Sequence, residues 1–230
     1  MTEPALSTAG LVKICGLTDE AGVEAATGAG ADLVGLVFVP KSRRYVPPAQ
    51  AAALAARARG EASVVGLFQD PALSEIEEVL EAVPLDLLQL HGRESEEDVL
   101  RIQTGFGLPV IRAFGVASEG DLYESAGSNA ALALYDAKPP TGAGAAGGHG
   151  ATFDWSVLRA APGSPRWLLA GGLTPQNAAD AVLACRGLPG FAGLDVSSGV
   201  ESAPGVKDPS RIARFVAATR AAMAAAPQES

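Results

Sequence analysis

Cysteine, histidine and long apolar runs are all scarce in this 230-residue chain, and each scarcity narrows what the protein can be. Two cysteines, Cys15 and Cys185, are too few for a disulfide framework. The opening residues MTEPALSTAG carry neither the basic start nor the apolar stretch of a secretory leader, so a reduced, cytoplasmic setting is expected. With only His91 and His149 and no Cys/His cluster, a structural zinc site has no ligands to draw on. The longest apolar stretches, such as LVGLVFV at 33–39, fall far short of the ~20 residues that cross a bilayer, so no membrane partner is expected. Basic runs are missing too. The 17 Lys and Arg are outnumbered by 26 Asp and Glu, and the formal net charge of −9 argues against a nucleic-acid partner. An anionic small molecule stays possible, because backbone N–H groups and one or two local cations can hold a phosphate whatever the global charge.

What the chain has is alternation. Eight short apolar runs read as strands: LVKIC at 11–15, LVGLVF at 33–38, SVVGLF at 63–68, LLQLH at 87–91, PVIRAF at 109–114, ALALYD at 131–136, RWLLAG at 166–171 and AGLDVS at 192–197. Between most of them lie Ala-, Glu-, Leu- and Arg-rich segments of helical composition, with start signals at Asp19, Pro47-Pro48, Ser74 with Glu77, Thr174-Pro175 and Asp208-Pro209. The link between strands six and seven is the weakest, since FDWSVLRAA at 153–161 supplies at most a short helix. This pattern predicts a single-domain (β/α)8 barrel over residues 1–230, with a tail at 1–10 and the end of the last helix and a C-terminal tail at 217–230. A doubly wound open sheet is the alternative. It is disfavoured by the lack of G-x-G-x-x-G after the first strand and by polar residues recurring at the carboxyl ends of different strands, which share one mouth in a barrel.

Side chains alternate along a strand, so Lys13 and Cys15 share a face and Cys15 ends it beside the turn. Such a thiol is either a small buried apolar residue or a nucleophile or base. Asp136 ends an otherwise apolar run and is either a helix-capping or loop-bracing group or a buried acid that carries a proton to donate. The glycine-rich stretch Thr141 to Gly150 that follows fits a lid. Gln89 and His91 share one face of the fourth run, where His91 either positions substrate or serves the structure. Of Arg43 and Arg44, one is placed to clamp a substrate carboxylate and the other is solvated. Gly171-Gly172 and Ser197-Ser198-Gly199 end the last two strands with little bulk, as either phosphate loops or tight turns.

Together these residues resemble the phosphoribosylanthranilate isomerase family of tryptophan biosynthesis from about residue 11 to residue 216. The motifs are KICGLT at 13–18, GLVFVPKSRRYV at 35–46, VGLFQD at 65–70, LLQLHG at 87–92, LYDAKPP at 134–140, GGHGATFDW at 147–155, AGGLTPQNA at 170–178 and DVSSGVE at 195–201. The resemblance implies an Amadori rearrangement with Asp136 as general acid and Cys15 as general base. It implies substrate contacts from Arg44 (the anthranilate carboxylate), Gln89, His91 and Asp195 (near the ribose hydroxyls or amine), and a phosphate site at Gly171, Gly172, Ser198 and Gly199. A small-molecule phosphoribosyl substrate, no metal or organic cofactor, and a monomer or homodimer follow from the same likeness. The chain departs from the family in TGAGAA inserted before Gly147, in His149 where a small hydroxyl residue is usual, and in Ala170 where Ser is common. A ribulose-phosphate epimerase would want metal-ligand histidines, and a tryptophan synthase α-subunit a pair of catalytic carboxylates. A histidine-pathway isomerase would carry aspartate at the end of the first strand. A barrel that only binds a sugar phosphate is the non-catalytic alternative.

Overall fold

The structure, a computed structural model, describes residues 10–138 and 153–225. The tail at 1–9, the glycine-rich segment 141–150 with His149, and residues 226–230 lie outside the described residues.

Eight parallel strands close into a barrel in chain order. They are β1 (Leu11–Cys15), β2 (Leu33–Val37), β3 (Ser63–Phe68), β4 (Leu87–Leu90), β5 (Val110–Val116), β6 (Leu132–Ala137), β7 (Arg166–Leu169) and β8 (Phe191–Val196), with β8 pairing back onto β1. Long helices follow most strands: α1 (Glu20–Gly28), α2 (Pro48–Ala58), α3 (Leu73–Ala82) and α4 (Glu96–Phe106), then α6 (Ala178–Cys185) and α7 (Pro209–Ala224). Between β5 and β6 there is only the one-turn α5 (Glu119–Leu122) and a 3-10 turn, and between β6 and β7 a 3-10 helix at Trp155–Ala160. The segment 153–161 thus forms the short helix predicted for it. A two-stranded hairpin, β9 (Glu201–Ala203) and β10 (Val206–Lys207), interrupts the last crossover. No helix among the described residues is long and apolar enough to cross a membrane.

Strands buried on both faces explain the near-continuous apolar runs. Leu11, Leu33, Val65, Leu87, Ile111, Leu132 and Leu168 fill one end of the barrel interior. Val12, Ile14, Val34 and Leu88 face outward into a second core beneath the helices, where the Trp167 and Tyr135 rings pack at a tilt with centroids 5.2 Å apart. Strand alternation then carries Lys13 and Cys15, Gln89 and Asp136 up the same inner face as Leu11, Leu87 and Leu132, toward the carboxyl ends.

Asp19 caps α1 by accepting from the Gly22 N–H at 2.7 Å, and Asp208 caps α7 by accepting from Ser210 and Arg211. Two predicted starts move. At α3 the reciprocal contact is Glu75 to the Ala72 N–H at 2.7 Å rather than Ser74 with Glu77, because the chain enters the helix two residues earlier. At α6, Thr174 opens a turn that Asn177 closes, and the helix proper begins at Ala178.

Candidate active site

At the β1 side of the mouth the sequence registers β1 on β8 so that Lys13 faces Asp195. Lys13 is fully buried, and its Nζ lies 2.7 Å from Asp195 Oδ1. Burial opposes the ammonium charge, but the Asp195 carboxylate and the neighbouring Cys15 outweigh it, so Lys13 is held above the ordinary lysine range. Cys15, 4% exposed, therefore sits beside a fixed cation. That neighbour tells it from Cys185 of α6, whose thiol is pushed up to about 12 by burial.

Across the barrel, β4 and β6 carry the second group. The Gln89 amide nitrogen lies 3.0 Å from His91 Nδ1. With Gln89 donating, Nδ1 is the acceptor and the ring proton is on Nε2, 3.4 Å from Asp136 Oδ2. His91 and Asp136 are each about one-fifth exposed, at 21% and 23% of their side chains, so both face the mouth. Gln89 is buried beneath them, and its Oε1 has no partner among the described residues.

The loops after β7 and β8 bridge the two groups. Gly171 and Gly172 adopt φ of +82° and +62°, a region other residues enter at a cost. A Cβ on Gly171 would come within 2.4 Å of the Ala137 nitrogen and 2.9 Å of Asp136 Oδ1, so glycine lets the β7 loop lie against the carboxylate. Asn177 holds that loop by accepting from the Thr174 N–H at 2.7 Å and donating to the Gly172 carbonyl at 3.0 Å. Gly199 packs so tightly on the β7 loop that a Cβ would fall 1.8 Å from the Leu173 carbonyl oxygen. The two glycine-bearing loops are thereby one continuous surface. Among the described residues the Gly171 and Gly172 N–H groups have no acceptor, which leaves them available to an anion.

Arg44 is half-buried in the loop after β2, whereas Arg43 is exposed. Arg44 makes a two-pronged contact with Glu201, Nε to Oε1 at 2.6 Å and Nη2 to Oε2 at 3.0 Å. Lys207, also buried, joins it: its Nζ lies 3.0 Å from Glu201 Oε1 and 2.9 Å from the Ser197 carbonyl. Sequence reasoning missed Glu201 and Lys207. The Pro204-Gly205 pair was the available signal, since it marks a turn that folds Lys207 back on Glu201.

A thiol and a carboxyl facing one another over two joined, glycine-hinged loops at the carboxyl end of a closed parallel barrel define a (β/α)8-barrel enzyme. Comparison with known proteins carries this further. The family model for N-(5'-phosphoribosyl)anthranilate (PRA) isomerase matches residues 12–218. The N-(5'-phosphoribosyl)anthranilate isomerase of Cereibacter sphaeroides is 50% identical over 211 residues, covering 91% of this chain and 98% of the relative. The crystal structure of the phosphoribosyl anthranilate isomerase from Thermus thermophilus superposes with a TM-score of 0.79 at 32% identity, over 92% of this chain and 98% of that one. A phosphoribosyl anthranilate isomerase solved with reduced 1-(o-carboxyphenylamino)-1-deoxyribulose 5-phosphate gives a TM-score of 0.75 at 32% identity, over the same shares. The chain belongs to the N-(5'-phosphoribosyl)anthranilate isomerase family.

Proposed function

We propose that this chain converts N-(5'-phosphoribosyl)anthranilate into 1-(2-carboxyphenylamino)-1-deoxyribulose 5-phosphate, an Amadori rearrangement of L-tryptophan biosynthesis, by acid–base chemistry between Asp136 and Cys15. Asp136 gives a proton to the ribose ring oxygen while the nitrogen lone pair forms the C1'=N bond and the C1'–O bond breaks. The Cys15 sulfur then takes the proton from C2', and the electrons of that C–H bond form C1'=C2' and return a lone pair to nitrogen. The resulting enol becomes the ketone as C1' gains a proton and the 2'-hydroxyl loses one, and exchange with solvent restores both groups. Each positioned transfer is worth about 10²–10⁴-fold.

The other residues hold the substrate. Gly171, Gly172, Ser198 and Gly199 take the phosphate through backbone N–H groups. Arg44 takes the anthranilate carboxylate with the Nη1 that Glu201 leaves free. Asp195 accepts from a ribose hydroxyl or the amine with the oxygen that Lys13 does not use. His91 faces the substrate with its Nε2 3.4 Å from Asp136, and Gln89 fixes the ring in that orientation. This reading is supported most directly by the placement of a thiol beside a buried ammonium and a carboxyl beside a histidine on opposite sides of one mouth.

The test is turnover of freshly prepared N-(5'-phosphoribosyl)anthranilate without added metal, followed by loss of its fluorescence. Turnover to the ketose is expected. Binding of a phosphate ester with no turnover would leave only the binding-protein reading.

A further inference from the structure

The hairpin that interrupts the last crossover is more than a turn. Glu201 lies between two cations, Arg44 from the loop after β2 and Lys207 from β10, and its carboxylate also accepts from the Gly205 N–H at 3.1 Å. The chain of contacts continues from Lys207 Nζ to the Ser197 carbonyl at 2.9 Å and the Ser197 hydroxyl at 3.3 Å, the residue that opens the loop after β8. The same hydroxyl would lie 3.1 Å from a Cβ on Gly16, and the Arg44 side chain crosses Gly16 so closely that its Cδ would lie 2.4 Å from it. Thus the loops after β1, β2 and β8 pack together around Arg44 and Lys207, the two cations that Glu201 holds. Glu201 and Lys207 are buried, at 7% and 6% exposed, and their charged atoms are engaged with Arg44, with each other and with Ser197.

Charge points the same way. The Lys13–Asp195 pair is balanced, whereas Arg44 and Lys207 share the single Glu201 carboxylate. One positive charge is left over in a poorly solvated place, where it favours an incoming anion. Burial, only partly offset by Glu201 and Cys15 and reinforced by Arg44, holds Lys207 below the ordinary lysine value, as an under-compensated cation should be.

We propose that Glu201 is a positioning residue that fixes Arg44 and the loop after β8 together, so that the carboxylate end and the phosphate end of the substrate are recognised by one coupled unit rather than by two independent sites. The proposal rests on the roles given above to Arg44 and to Ser198 and Gly199. Losing the carboxylate frees both ends at once: the guanidinium swings away from Gly16, and Lys207 loses the charge that keeps it on Ser197.

The test uses the full chain with Glu201→Gln, Arg44→Gln and the double variant Glu201→Gln/Lys207→Met. Each is measured for KM, kcat, the inhibition constant of inorganic phosphate, and thermal midpoint. Glu201→Gln is expected to raise KM and the phosphate inhibition constant together, each by about tenfold or more, the scale of one charge-assisted contact, with kcat changed far less. The double variant removes the excess cation, so its thermal midpoint recovers while both constants stay raised. An unchanged phosphate constant in Glu201→Gln would overturn the coupling, and recovery of KM along with the midpoint would reduce Glu201 to a structural group and overturn it too. An unchanged KM in Arg44→Gln would instead remove the carboxylate-binding role on which the proposal depends.

Discussion

The two sides of the barrel mouth are built differently. Around Cys15 the sequence buries Lys13, Asp195, Glu201 and Lys207 and pairs each one, so the proposed base sits in a fixed ionic lattice. Around Asp136 there is, among the described residues, one loose ion pair, with His91 at 3.4 Å, and both partners are partly exposed. The physical lesson is a division of labour. A base that must take a carbon-bound proton gains from rigid, pre-arranged charge, whereas an acid that must be reprotonated each cycle gains from access to solvent.

The largest effect that could break this comparison is on stability. Lys13→Met strands the buried Asp195 carboxylate and should cost about 3–5 kcal/mol in urea unfolding. His91→Ala removes only a partly solvated contact and should cost under ~1 kcal/mol. Similar losses on the two sides would erase the distinction. Next, Gln89→Leu removes the amide that orients His91 together with a buried carbonyl oxygen that has no partner among the described residues. It should lower kcat by roughly tenfold while leaving unfolding stability unchanged or slightly raised.

Stability against pH should sharpen the same contrast. Burial works against the Glu201 charge, but contacts with Arg44 and Lys207 prevail and hold its carboxyl below the usual range. Its contribution is therefore full above the unfolded value, ~4.3, and lost as pH falls through the lowered folded one. Lys13 is the mirror case, contributing fully below ~10.4 and losing that stability as pH rises through its raised value. Thermal midpoints across pH should show Glu201→Gln flattening the acid limb and Lys13→Met the alkaline limb. The smallest effect concerns the second thiol. Cys185→Ala should leave turnover unchanged, and alkylation at pH 8 should leave Cys185 unmodified because burial keeps its thiol protonated.

Much of this was legible in the chain. The period of two placed Lys13 with Cys15 and Gln89 with His91 on inner faces, and apolar runs separated by capped helices gave all eight strands in order. The glycine pair at 171–172 and the single Gly199 were readable because tight loops demand them. What could not be read were partners far apart in sequence. Lys13 meets Asp195 only because the barrel closes β8 on β1, and Arg44 meets Glu201 only because a hairpin folds over the loop after β2. Local pattern fixes which face a residue occupies, whereas closure of the sheet fixes whom it meets. The shift of the α3 start from Ser74 to Ala72 has a smaller cause, since Ser74 and Glu75 both offer capping groups and the reciprocal contact to Ala72 prevailed.

The division of labour between base and acid is tested most directly by turnover of C2'-deuterated N-(5'-phosphoribosyl)anthranilate by the unmodified chain, Cys15→Ala and Asp136→Asn. Both variants should lose about 10² or more in kcat. Deuterium should slow Cys15→Ala severalfold, because removal of the C2' proton has become limiting, and leave Asp136→Asn unaffected, because ring opening limits it. An isotope effect of the same size in both variants, or full activity in either, would contradict the assignment of base to Cys15 and acid to Asp136.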